Sequence, residues 1–393
     1  MRIAIFSDNF YPQLSGISDS IMTLGRELAK RGHFINYCVP KYPAADYEKA
    51  GVKNEEIDMG KNITVTRFVS VNAPLGNGNV PAIIPFGQFI KIKKFRPDVI
   101  HSQLFFGAGF EALLAAKILR IPMIGTNHTA ITEYIRYAPF HPPYLNEIGL
   151  KYVNWYYNRC DFVTAPSASV FTEMLEHGFK KPYRVISNPI DTETFKPGPA
   201  WRKAALKKDF GFSEKTIIYA GRLTAEKSID VLIKAVASAV PDEPGIMLAL
   251  AGSGTESEKL KKLAEERGVS DNVKFLGLLS KERLAQAYSA SEIFAIASTS
   301  ETQSLTLMQA LSCGLPAVAV RARALPEYVP TEAGFLVEPG NHKAFAARFI
   351  ELLKNKETME KMGRAAVKFA GKFSIPVISG EWEKLYAKIS NKS

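Results

Sequence analysis

Arg222 and Lys227 stand five positions apart in Gly221-Arg222-Leu223-Thr224-Ala225-Glu226-Lys227, directly after the apolar run Thr216-Ile217-Ile218-Tyr219-Ala220. A guanidinium offers a planar fork of donors and an ammonium a mobile point charge, so the two together suit a diphosphate at the end of a strand. A solvated Arg and Lys in a surface loop is the alternative. Glu301 lies in the polar turn Thr299-Ser300-Glu301-Thr302-Gln303-Ser304, and Gln309 follows eight residues on. A turn between a strand and a helix presents free backbone N–H groups and the positive end of the helix dipole, which favour an anion such as phosphate. A carboxylate and an amide there can both reach a ligand held over the helix start; a solvated Glu and an incidental helical Gln is the competing reading. His128, between Asn127 and Thr129 after another apolar run, is placed to touch a bound molecule or serves structure only. Gly16, where the missing Cβ lets backbone approach a ligand, and the turn Gly252-Ser253-Gly254, which can cradle phosphate or a base, are weaker signals that geometry alone can also explain.

The elements that must hold these groups are legible around Glu301. Ile293, Phe294, Ala295, Ile296 and Ala297 form a continuous apolar run, as in a strand covered on both faces. Leu305, Met308 and Leu311 then recur at helical spacing until Gly314 and Pro316 stop the helix, and Pro316 to Val320 reads as the next strand. This is one βαβ unit. The alternation runs along the whole chain: strands are expected at Arg2 to Ser7, Phe34 to Val39, Ile63 to Val69, Pro97 to His101, Pro122 to Thr126 and Asp161 to Ser167, then at Thr216 to Ala220, Met247 to Ala251 and Val273 to Gly277. Helices are expected from about Ile17 to Arg31 and from Gly109 to Leu119, and Tyr42 to Lys61 reads as a charged loop. The pattern implies α/β architecture with doubly wound parallel sheets. Asn188 to Ala200, with three Pro, reads as a linker.

With 393 residues the chain exceeds what one core usually serves, and two domains are expected. A hydrophobic fraction of 46% with mean hydropathy −0.05 fits an ordinary globular protein, and no apolar run is long enough for a membrane span or follows a signal-peptide pattern, so a cytoplasmic location is expected. Cys38, Cys160 and Cys313 are too few and too scattered for a disulfide framework or a zinc site. The net charge of +11 suits nucleic acid, anionic lipid or a phosphorylated substrate. Nucleic acid is the weakest of these, because the basic residues are dispersed and no binding signature is present. Phe86 to Arg96 carries four basic residues, three Phe and no acid, so it reads either as a contact with an anionic membrane or as an exposed basic helix. An aromatic stretch follows His128, with Tyr134, Arg136, Tyr137, Phe140, His141 and Tyr144; it suits an acceptor with apolar and polar parts, or fills a core.

Gly221-Arg222-Leu223-x-x-Glu226-Lys227, Gly252-x-Gly254, Phe275-Leu276-Gly277, Glu301 before a helix, and Gly314-Leu315-Pro316 occur in an order that resembles the carboxyl-terminal domain of retaining glycosyltransferases of family four. Pro12-Gln13-Leu14-Ser15-Gly16 and Pro97-Asp98-Val99-Ile100-His101 are similar to the same family's amino-terminal domain, so the resemblance spans nearly the whole chain. Asn127-His128-Thr129, Glu133-Tyr134, Arg136-Tyr137 and Ser300-Glu301-Thr302-Gln303 look most like members that glucosylate diacylglycerol.

The resemblance implies a GT-B fold, with an acceptor-binding Rossmann-like domain over residues 1–188, a nucleotide-sugar-binding one over 189–375, a cleft between them, and a last segment, 376–393, whose helix (Ser379 to Ile389) returns to the first domain. It implies retention by front-face attack without a protein nucleophile. Arg222 and Lys227 would stabilise the leaving diphosphate, Glu301 would take sugar hydroxyls, and His128 would hydrogen-bond the sugar. Gly16, Gly252, Gly254, Leu276, Gln303, Ser304 and Leu305 would complete the donor site. No Asp-x-Asp is present, so no metal is expected. Gln309 departs from the pattern, since the family usually has a Glu there to read the ribose. The implied donor is UDP-glucose and the implied acceptor a lipid, with peripheral contact at the inner face of the cell membrane; phosphatidylinositol, a soluble sugar, or sugar-nucleotide binding without transfer are the alternatives.

Overall fold

The computed structural model describes residues 1–13, 15–53, 55–75, 78–129, 131–132 and 144–391. The chain divides into two units, Met1–Pro189 with Ile375–Ser393, and Ile190–Ser374. The aromatic stretch of residues 133–143, and Leu14 in the first motif, lie outside the described residues.

In the first unit the strands are β1 (Arg2–Phe6), β2 (Phe34–Pro40), β3 (Ile63–Phe68), an antiparallel hairpin of β4 (Ser70–Leu75) and β5 (Gly78–Ile83), β6 (Val99–Ser102), β7 (Met123–Thr126), β8 (Phe162–Ala165) and β9 (Tyr183–Val185). Seven of them form one parallel sheet in the order β3-β2-β1-β6-β7-β8-β9. Its helices are α1 (Gly16–Lys30), α2 (Ala44–Lys49), α3 (Gly107–Leu119), α4 (Tyr144–Tyr157) and α5 (Ala168–Glu176). α1 opens with Gly16 because Ser15 caps it reciprocally with Ser18. The stretch Phe86 to Arg96 is a 3₁₀ helix over Gln88–Phe95 with two faces. Gln88, Phe89 and Ile92 are buried, while Phe86 and Ile90 are 64% and 66% exposed among the exposed Lys91, Lys93 and Lys94.

The second unit contains β10 (Lys215–Ala220), β11 (Ile246–Ala251), β12 (Val273–Gly277), β13 (Ile293–Ile296), β14 (Ala317–Val320) and β15 (Gly334–Val337) in the order β12-β11-β10-β13-β14-β15, all parallel. Helices α6 (Ala200–Phe210), α7 (Ile229–Ala239), α8 (Ser257–Glu266), α9 (Lys281–Ser289), α10 (Leu305–Ser312), α11 (Leu325–Tyr328), α12 (His342–Lys354) and α13 (Lys356–Gly371) accompany them. Ile293 to Ile296 are all buried, the condition of a parallel strand covered on both faces. Part of the expected linker belongs to this unit's core. Ile190 bridges to Ser374, and Phe195 is buried against Tyr288, because two apolar anchors stand in an otherwise polar, Pro-rich stretch.

The last helix, α14 (Ile375–Ser390), packs on the first unit. It begins four residues before Ser379, since Pro376 sits in the first turn, where its missing N–H costs nothing. Trp382 and Tyr386 are buried against His101, and the Glu383 carboxylate bonds Arg31 and His33 at 2.8 Å each.

Candidate functional site

In an open parallel sheet, ligands bind at the carboxyl ends of the strands where the order reverses. In the second unit that point lies between β10 and β13, and the two loops leaving them there carry Arg222, Lys227 and Glu301. The Lys227 ammonium reaches Glu301 Oε1 at 2.7 Å, with both side chains largely buried. Burial pushes the Glu301 carboxyl up. The Lys227 charge and hydrogen bond, a Ser298 hydroxyl and the nearby Arg222 outweigh it, so Glu301 titrates below the usual carboxylate range and is ionised at neutral pH. Arg222 is 69% exposed and touches Glu226 Oε1 at 3.2 Å, and the Thr224 hydroxyl donates to that same oxygen at 2.6 Å. The Tyr219 hydroxyl, donating to the Arg222 carbonyl at 3.0 Å, ties the loop back to its own strand.

The glycines at the ends of β10 and β11 let two loops lie on one another. Gly252 has φ +146°, and a Cβ there would stand 1.9 Å from the Gly221 carbonyl oxygen; one on Gly254 would stand 2.2 Å from that of Leu223. Backbone bonds Gly221 N to Ala251 O, Leu223 N to Ser253 O and Gly252 N to Gly277 O lace the three strand ends together, with Leu276 one residue from the last of them. Close apposition thus demands these glycines before any ligand is considered.

α10 starts where the Glu301 turn ends. The buried Ser304 hydroxyl caps it by accepting from Leu307 N at 3.2 Å, and Leu305 is the first helical residue. Gln303 is buried beside Ser304, and the Glu301 carbonyl accepts from Ala324 N at 3.2 Å, which fixes the turn against the loop after β14. Gln309 is half-buried in the second turn of α10.

His128 and Gly16 belong to the first unit. Gly16 is exposed at the first position of α1. His128 follows β7, and its Nε2 lies 2.7 Å from Gln103 Oε1. The Gln103 amide nitrogen lies 3.2 and 3.1 Å from the two ring nitrogens of His101, which is fully buried at the start of a longer chain. His101 Nδ1 meets the Tyr386 hydroxyl and Nε2 the Thr126 hydroxyl, both at 2.6 Å, and Thr126 continues to Thr164 at 2.7 Å. Burial, helped by the proximity of His128, lowers His101 to about 3, and burial lowers His128 to about 4, so both rings are neutral at pH 7. Nothing in the sequence pairs His101 and Gln103 with His128, because the three stand on the ends of two different strands and meet only once β6 and β7 are neighbours. Among the described residues, no three His, Cys, Asp or Glu side chains are grouped as metal ligands.

Two family models match the chain: Glycosyltransferase Family 4 over residues 14–194 and Glycosyl transferases group 1 over residues 203–369. The alpha-monoglucosyldiacylglycerol synthase of Streptococcus pneumoniae is 30% identical over 326 residues, 81% of this chain and 71% of the relative. Among solved structures, sucrose-phosphate synthase from Thermosynechococcus elongatus superposes with a TM-score of 0.81 at 20% identity, covering 100% of both chains. Anabaena HepE in complex with UDP-glucose does so with 0.75 at 20% identity, covering 99% of this chain and 100% of that one.

Proposed function

The chain belongs to glycosyltransferase family four and has the GT-B fold, and from that premise we propose that it transfers a hexose, glucose from UDP-glucose, to the hydroxyl of a lipid such as diacylglycerol, with retention at the anomeric carbon. The observation that carries the reading is the Lys227–Glu301 pair at the strand-order reversal, with Arg222 beside it. A departing nucleoside diphosphate gains negative charge as the glycosidic bond breaks, and preorganised cations in a partly dry site stabilise that charge. Lys227 and Arg222 take this role. Glu301, held ionised, accepts from sugar hydroxyls, while the backbone at Gln303, Ser304 and Leu305 presents the amino end of α10 to phosphate or sugar. Neutral His128 hydrogen-bonds the sugar, and Gln309 reads the ribose. Gly16, Gly252, Gly254 and Leu276 complete the donor site.

The UDP-glucose bound in the HepE structure and the name of the pneumococcal relative support the choice of donor and acceptor. Within the first unit, Phe86 and Ile90 standing exposed among Lys91, Lys93 and Lys94 support a lipid acceptor reached at an anionic membrane surface, the cytoplasmic face in this reading.

The test is to incubate the full chain with a panel of nucleotide-sugars and either diacylglycerol vesicles or soluble acceptors, and to score products by mass spectrometry. Hexosyl-diacylglycerol made from UDP-glucose is expected. Transfer to soluble acceptors alone would remove the lipid from the proposal, and binding without hydrolysis or transfer would leave a sugar-nucleotide-binding protein. Cation chemistry on the diphosphate by Arg222 and Lys227 also implies that turnover survives EDTA; complete inhibition reversed by a divalent ion would overturn the metal-free reading.

A further inference from the structure

We infer that Gln103 is a positioning residue: its amide carbonyl accepts from His128 Nε2–H, which sets the tautomer and the turn of that ring, while the rest of the amide is braced on His101 and, through it, on the last helix. The inference rests on the role proposed for His128 in donor binding.

The chemistry of the partners sets the direction. An amide oxygen only accepts, so at 2.7 Å from His128 Nε2 it requires the proton on that nitrogen. The other end of the same amide can only donate, and it faces both ring nitrogens of His101 at 3.1 to 3.2 Å. Turning the amide over would bring its NH₂ to His128 Nε2 and force the opposite tautomer on that ring. The ring of His101 is itself fixed. Its two nitrogens are held by the hydroxyls of Tyr386 and Thr126 at 2.6 Å, and its ring centroid lies 4.5 Å from that of the tilted Trp382 ring. His101, Gln103, Thr126, Trp382 and Tyr386 are all buried, so each of these groups has few other places to find a partner. With the amide oriented as it stands, its oxygen takes the proton of His128 on Nε2.

The experiment uses the full chain with ¹⁵N-labelled histidine side chains, read by NMR at neutral pH, together with kcat and donor KM. In the wild type, His128 should carry its proton on Nε2. Gln103→Met removes the acceptor at nearly constant volume; the His128 signals should move toward the Nδ1–H form or an average. Turnover should fall about tenfold or more, the scale of loss for a misplaced contact, with donor KM changed far less. Gln103→Glu keeps an acceptor facing Nε2 and should retain the proton there, with part of the rate; it also serves if Gln103→Met fails to fold. An Nδ1–H His128 in the wild type, or unchanged His128 signals in Gln103→Met, overturns the inference. His128→Ala run alongside separates the two claims: full turnover in that variant removes the proposed role of His128, while the shift of the His128 signals in Gln103→Met still decides whether Gln103 positions it.

Discussion

Arg222 and Lys227 divide one task between two kinds of charge. Lys227 is locked to Glu301 and mostly buried, whereas Arg222 is exposed and leans on Glu226. The exposed member is the one able to close onto a bound diphosphate, so Arg222→Ala should cost about 2 to 4 kcal/mol of transition-state stabilisation, as the loss of a donor to developing charge does. Steady-state rates of the folded variant check this, and a loss smaller than about tenfold would remove Arg222 from the diphosphate. Gln309 lies half-buried one turn beyond the Ser304 cap. An amide offers one neutral acceptor oxygen where a carboxylate offers two charged ones, and charge-assisted bonds are roughly twice as strong, so Gln309→Glu should tighten donor binding by about 1 to 2 kcal/mol. Calorimetry with the nucleotide-sugar measures it; equal or weaker binding means that Gln309 does not face the ribose. These residues were legible in the sequence because motif spacing within one loop survives folding. Gln103 was not, and His101 was read only as the end of the Pro97–His101 motif, because their meeting with His128 comes from the pairing of β6 with β7, which no local pattern encodes.

Strands and helices were legible wherever burial on both faces or helical spacing wrote itself into the residues, as at Ile293–Ile296 and along α10. The β4–β5 hairpin was not read at all, since Pro74 and Pro81 interrupt a strand pattern, and Pro is tolerated on edge strands, which both strands of a two-stranded hairpin are. The join between β1 and α3 was equally hidden. Asp8, just past β1, is buried and accepts from Ala108 N at 2.9 Å in the first turn of α3, while its other oxygen is buried with no hydrogen-bond partner. Burial raises its pKa from 3.8 to about 7, against the smaller opposing effect of the Ala108 bond. Between those values the folded chain holds a proton that the unfolded chain has lost, so Asp8 makes stability fall as pH rises from about 4 to about 7. Asn in its place keeps an acceptor for Ala108 N and does not titrate. The stability of Asp8→Asn relative to wild type should therefore rise across that window, by up to a few kcal/mol. Denaturant melts at several pH values test the slope, which burial of an extra amide donor does not alter, and His101 and His128 contribute equally to both proteins. A flat difference would mean that Asp8 is ionised in the fold.

At the scale of the whole chain, two doubly wound units leave a net charge of +11 to be explained, and no described helix is long and apolar enough to cross a membrane. If the acceptor is a lipid, contact with the bilayer must come from the surface. The 3₁₀ segment Gln88–Phe95 has the composition for it: it buries Phe89 and Ile92 in the first unit and turns Phe86 and Ile90 outward among Lys91, Lys93 and Lys94. Two separable forces follow. Each cation near an anionic leaflet contributes about 1 kcal/mol and is screened by salt, while the two apolar side chains insert and are not. Replacing Lys93 and Lys94 with Glu should therefore weaken sedimentation with phosphatidylglycerol vesicles by at least about tenfold at ~0.1 M salt. Replacing Phe86 and Ile90 with Ser should weaken it at every salt concentration. Neither pair belongs to the unit that carries Arg222, Lys227 and Glu301, so donor binding in calorimetry should be unchanged in both variants. Unaltered sedimentation of the two double variants would show that this segment is a solvated basic surface and that any lipid acceptor is met elsewhere on the chain.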